Sequence, residues 1–151
     1  SGTAADITVS LGAGHNPAKR TADQFEPQLL RYLGTRGELL IDKGAGGEEA
    51  GRVARAIETS GARAHCWEGS FAGFASHIAQ SRLYVGYDSA GGHAAAAAGV
   101  PLVSIFAGFA SHRMFERWRP TGKAKSIVLR VDNPDPSEVW EKTRAALDQL
   151  L

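Results

Sequence analysis

The chain has 151 residues, 43% of them hydrophobic and 22% charged, with a formal net charge of +1. That length and balance fit one globular domain that can bury a core without disulfides or metals. The near-neutral charge gives no ground for a nucleic-acid partner, and no apolar run approaches the length of a membrane span. The single cysteine, Cys66, excludes an intrachain disulfide and points to a reducing compartment. It is expected to be a buried strand residue rather than a nucleophile. The opening SGTAADITVSLG has no initiator Met and no basic start or long apolar run of a secretory leader, so a processed or excised piece is expected.

In chain order, the first apolar run, Asp6–Gly12, predicts a strand, followed by a polar loop over Gly12–Arg20. A helix is predicted from Phe25 to Leu33, with Phe25, Leu29, Leu30 and Leu33 on one face. Strand two is Glu38–Asp42, and its loop Lys43–Glu49 leads into a helix over Glu48–Thr59. Strand three, Ala62–Trp67, runs through the Glu68–Ser70 loop into a helix over Phe71–Ala79. Strand four, Arg82–Tyr87, opens through Asp88–His93 into an alanine-rich helix that Gly99 and Pro101 end. Strands five and six are Pro101–Phe106 and Ser126–Val131, and the last helix starts at Asp135-Pro136.

This alternation predicts an α/β fold: a Rossmann-like three-layer parallel sheet of about six strands, in a single domain spanning residues 1–151. The apolar runs fit strands buried on both faces. Such sheets take ligands beyond the carboxyl ends of their strands, so the loops after each strand are the candidate sites.

The loop after strand four begins Asp88-Ser89-Ala90-Gly91-Gly92-His93. The first turn of a helix offers free N–H groups and a partial positive charge, which together suit an anion. Gly91 and Gly92 carry no side chain to obstruct a ligand, and the alanines behind them let the helix sit close to the sheet. The plainer alternative is that Asp88 or Ser89 only caps the helix, with His93 packed or capping. In the first loop Gly12 and Gly14 permit close backbone approach, and Lys19 and Arg20 could hold a diphosphate. The spacing is neither a P-loop nor a full G-x-G-x-x-G, and a glycine turn with two solvated cations fits as well. Glu48 and Glu49 either stabilise the start of a helix or accept hydrogen bonds from ribose hydroxyls.

The segment Ala107–Lys125 holds His112, Arg113, Arg117, Arg119, Lys123 and Lys125 against the single acid Glu116. It is either a solvated surface or a contact for an anionic acceptor, a membrane surface or a partner domain. The five histidines are scattered without metal-ligand spacing. No serine sits in a nucleophile elbow.

The stretch LYVGYDSAGGHAAAAAGVPLVSIFAG, followed by RWRPTG, resembles the C-terminal half of family 9 glycosyltransferases, the bacterial heptosyltransferases. Ala90 stands at the usual first glycine of the Asp-Ser/Thr-Gly-x-x-His hallmark, and Ala107-Gly108 extends the usual Phe-Gly. The resemblance covers nearly the whole chain. It implies the donor-binding half of a type-B glycosyltransferase fold, with the N-terminal acceptor domain absent from this sequence. It implies that the amides of Ser89–Gly92 and the Lys19 side chain hold the donor diphosphate, with Gly12, Gly14 and Arg20 in the same loop. Glu49, or else Glu48, would hold the ribose, and Glu68, Gly69 and Ser70 would border the nucleobase. Asp88 would lie beside the transferred sugar, with His93 supporting the turn, so that Lys19, Asp88 and His93 are the catalytic candidates.

The resemblance further implies a nucleotide-diphosphate-sugar substrate, no cofactor and no strictly required metal. It implies a lipopolysaccharide-like or other glycan acceptor and a cytoplasmic location, with peripheral contact at the inner membrane as an option. The isolated chain is not expected to transfer sugar, because the family's acceptor-activating acid lies in the other half. Two rivals stay open: a nucleotide-sugar epimerase or hydrolase built on Asp88, and a non-catalytic interaction module built on the His112–Lys125 patch.

Overall fold

The computed structural model describes residues 6–11, 25–42, 47–87, 89–107, 126–131 and 136–150. The elements alternate as expected: β1 (Ile7–Ser10), α1 (Phe25–Gly34), β2 (Leu39–Asp42), α2 (Gly47–Ser60), β3 (Ala64–Trp67), α3 (Phe71–Gln80), β4 (Leu83–Gly86), α4 (Ser89–Ala98), β5 (Leu102–Ala107), β6 (Ser126–Val131) and α5 (Pro136–Leu150). The six described strands are all parallel, in the order β3-β2-β1-β4-β5-β6. This is the doubly wound Rossmann order. The chain moves outward from β1 to β3, then returns to lay β4 on the other side of β1. With right-handed crossovers, that reversal sends the helices to opposite faces.

Side chains on a strand alternate between faces, and the two cores follow that alternation. Ile7, Val9, Leu39, Ile41, Leu83, Val85, Val103 and Ile105 bury one face under Phe25, Leu29, Leu30 and Leu33 of α1, Val53 of α2 and Leu147 of α5. Leu40, Tyr84 and Leu102 bury the other under Phe74 and Ile78 of α3 and Ala95 and Ala96 of α4. The second face is lined with small groups: Thr8, Ser10 and Ser104 are buried there, and the alanine helix packs on β4 and β5. Its C-terminus is a Schellman motif, as Gly99 predicts. Val100 N–H bonds the Ala95 carbonyl at 2.9 Å, Gly99 N–H bonds that of Ala96 at 3.1 Å, and Gly99 has φ +75°.

Helix α5 closes the first face against α1. Trp140 meets Phe25 and Tyr32 edge-on, with ring centroids 6.4 and 5.6 Å apart. The Tyr32 hydroxyl donates to Asp148.

One expectation fails. Cys66 lies on β3 but is exposed, as is its neighbour His65. β3 is an edge strand, so an apolar run in the sequence does not secure cover on both faces there.

Candidate functional site

The strand register sets the carboxyl ends of four strands side by side. Ser10 is level with Asp42 on one side and Gly86 on the other, and Asp42 is level with Trp67. β1, β2, β3 and β4 therefore end at one height. β1 and β4 flank the reversal in strand order, the position where open α/β sheets form their ligand crevice. Tyr87 N–H bonds the Ser10 carbonyl at 3.0 Å and carries the pairing one residue beyond the strands.

At these strand ends lies a buried polar network. Arg52 of α2 pairs with Glu26 of α1, with side chains only 11% and 4% exposed. The second guanidinium nitrogen of Arg52 donates to the Leu11 carbonyl at 2.6 Å. The other carboxylate oxygen of Glu26 accepts from the Tyr87 hydroxyl at 2.8 Å. Burying a charge is costly unless it is paired and hydrogen-bonded, and this geometry meets both conditions. The network ties Leu11, one residue beyond β1, to Tyr87, one residue beyond β4. Sequence reading singled out none of these residues.

At the mouth of α4, Ala90 and His93 are exposed, whereas Gly91 and Gly92 are buried. Gly91 faces Tyr84: a methyl group added there would come within 2.6 Å of the Tyr84 Cζ. One at Gly86 would come within 2.8 Å of the Ser10 carbonyl oxygen and of the Tyr84 Cζ. The Tyr84 ring is fully buried, so it forms the support on which the first turn of α4 rests. The absence of a side chain at Gly91 thus serves packing beneath the helix. His93 is the fifth residue of α4, at the end of its first turn.

The loop after β3 wraps an indole. Trp67 Nε1 donates to the Ser70 carbonyl at 3.2 Å. Gly69, at φ +149°, lies so close that a methyl group there would stand 3.0 Å from Trp67 Cζ2. Ser70 caps α3, its hydroxyl accepting from Gly73 N–H at 3.1 Å. Glu68, Gly69 and Ser70 are all exposed, and Phe71 shows 47% of its surface.

Glu48 and Glu49 lie in the first turn of α2, described by their backbone alone, as is Ser89 at the start of α4. Gly12, Gly14, Lys19, Arg20, Asp88 and the His112–Lys125 patch lie outside the described residues. Among the described residues no three His, Cys, Asp or Glu side chains gather as a metal site, and no helix is long and apolar enough to cross a membrane.

The glycosyltransferase family 9 (heptosyltransferase) profile matches residues 14–146. The chain belongs to glycosyltransferase family 9. No curated protein is significantly similar to it in sequence. Among solved structures, E. coli heptosyltransferase WaaC with ADP superposes with a TM-score of 0.75 at 18% identity, covering 98% of this chain and 45% of that one. A family 9 glycosyltransferase from Veillonella parvula gives 0.71 at 16% identity, covering 95% and 45%. E. coli ADP-heptose lps heptosyltransferase II gives 0.65 at 23%, covering 95% and 46%. At these identities the likeness is one of fold. The family 9 chain spans less than half the length of each.

Proposed function

We propose that this chain is the donor-binding half of a heptosyltransferase-type glycosyltransferase and takes a nucleotide-diphosphate-sugar. One observation carries the reading: the family 9 match runs across the loops that leave β1 and β4 at the switch point. The amides of Ser89–Gly92 and the Lys19 side chain hold the diphosphate, with Gly12, Gly14 and Arg20 alongside. Glu49, or Glu48 beside it, holds the ribose. Glu68, Gly69 and Ser70 border the nucleobase, Asp88 stands by the transferred sugar, and His93 supports the turn. Two structural neighbours are E. coli WaaC solved with ADP and with ADP-2-deoxy-2-fluoro heptose, which favours an adenine donor.

The chemistry follows from charge. Transfer breaks the bond between the sugar's anomeric carbon and the diphosphate, leaving negative charge on the leaving group. Amides and a lysine fixed in advance stabilise that charge as it grows. The acceptor hydroxyl loses its proton to a base in the other half of the enzyme. Charge stabilisation is thus assigned to Lys19 and the amides rather than to a divalent cation, and transfer by the complete protein should persist in EDTA. The acceptor is a bacterial lipopolysaccharide-like glycan, reached from the cytoplasm at the inner membrane.

Amide chemical-shift mapping with ADP, GDP and UDP tests this placement. The expected shifts fall at Leu11, at Gly47–Ala50 and at Ser89–Gly92. Shifts confined to the opposite edge of the sheet, around Glu38 and Arg82, would overturn it.

A further inference from the structure

The Glu26–Arg52–Tyr87 network joins Leu11 and Tyr87, the described residues next to the two loops assigned to the diphosphate. Arg52 grips the Leu11 carbonyl where the chain leaves β1, and Tyr87 immediately precedes the loop that leaves β4. Glu26 joins them by accepting from both. Arg52 also lies three residues beyond Glu49, one turn along the same helix. An arginine fork can hold two acceptors in fixed directions, which a lysine cannot. A structural pair needs only its own partner, but this one also reaches a main-chain carbonyl on one strand exit and, through Glu26, a side chain on the next.

We propose that Arg52, Glu26 and Tyr87 are positioning residues for the donor diphosphate: they hold Leu11, where the chain leaves β1, in a fixed relation to Tyr87, where it leaves β4. This rests on the donor-site reading above. A diphosphate held from both loops depends on their spacing, whereas a nucleoside held by α2 and the β3 loop does not depend on the β4 exit. The network therefore acts on the phosphates selectively, through backbone placement and without touching the ligand.

Tyr87→Phe is the sharpest test, because it removes one hydroxyl and keeps the ring. The probes are ADP, GDP and UDP, each beside its own nucleoside, titrated by NMR with thermal unfolding followed in parallel. The expected result is an affinity for the bound diphosphate lowered about tenfold, the scale of one hydrogen bond to a charged group. Nucleoside affinity should stay at the wild-type value. Arg52→Lys keeps a cation opposite Glu26 but loses the fork, and should show the same selective loss; it decides the matter if Tyr87→Phe does not fold. Equal loss for diphosphate and nucleoside, or no loss in either, overturns the positioning role while leaving the donor site standing. Wild-type protein that binds none of the three diphosphates overturns the donor site, and this inference with it.

Discussion

Tyr84 fills the space that a side chain at Gly91 would need. The hydroxyl and ring of the tyrosine lie under the first turn of α4, and a methyl group at Gly91 would fall within 2.6 Å of Cζ. Both residues are buried. The first turn of α4, whose amides are proposed to hold the diphosphate, is therefore held at a height fixed by an aromatic ring. Gly91→Ala should destabilise the fold by about 1–3 kcal/mol, the usual cost of overpacking. It should also displace the α4 amides and weaken diphosphate binding. Tyr84→Phe in the same chain should recover part of the stability, since the hydroxyl is the nearest atom to the added methyl. Urea denaturation of the three variants measures this, and a neutral Gly91→Ala would contradict it.

The buried pair beneath the loops makes a separate stability prediction. Arg52→Met removes the guanidinium from beside a Glu26 side chain that is only 4% exposed. Removing one partner of such a pair typically costs about 3–5 kcal/mol, because the remaining charge stays out of water. Equilibrium unfolding should show a loss on that scale. A loss below about 1 kcal/mol would place the pair with ordinary surface ion pairs instead.

Tyr32 predicts a pH dependence on the far side of the molecule. Desolvation, and then its hydrogen bond to Asp148, raise its pKa above the ordinary 10.0. The folded state thus holds the phenolic proton more tightly than the unfolded chain does. Its contribution is complete below pH 10 and is lost as pH rises through the higher folded value. The melting temperature of the wild type should fall more steeply above pH 10 than that of Tyr32→Phe. Parallel curves for the two proteins would refute the assignment.

Lys19 is the side chain assigned to the growing leaving-group charge. In the complete enzyme, Lys19→Ala should lower kcat by about a hundredfold, the effect of deleting one preorganised donor to developing charge. Steady-state kinetics with saturating acceptor measures it. Unchanged turnover and unchanged affinity for the nucleoside diphosphate would remove Lys19 from the site.

Much of this fold is legible in the amino-acid order. The run ITVSL and the spacing of Phe25, Leu29, Leu30 and Leu33 specify a strand and a helix face, and both lie in the first core. Gly99 announces the end of α4, where it adopts the expected left-handed conformation. The first four strands come out shorter than their apolar runs, and Ala62, for one, donates its N–H to the Ser60 hydroxyl instead of the ladder, whereas β6 matches its run. Cys66 reads as buried but is exposed, since edge position belongs to the sheet order and not to the run itself. The Arg52–Glu26–Tyr87 network leaves no local signature: Arg52 and Tyr87 lie 26 and 61 residues from Glu26. Gly91 shows the same limit, because a glycine required by a ring seven residues earlier looks in sequence like one required by a ligand.

A nucleoside diphosphate is proposed to bind at the carboxyl ends of β1 and β4. Calorimetric titration of this chain with ADP, GDP and UDP, repeated on Lys19→Ala, is the decisive measurement. Saturable binding of one of the three is expected, with ADP favoured, and clear weakening in the variant. Absence of binding to all three, or binding that Lys19→Ala leaves untouched, would contradict it.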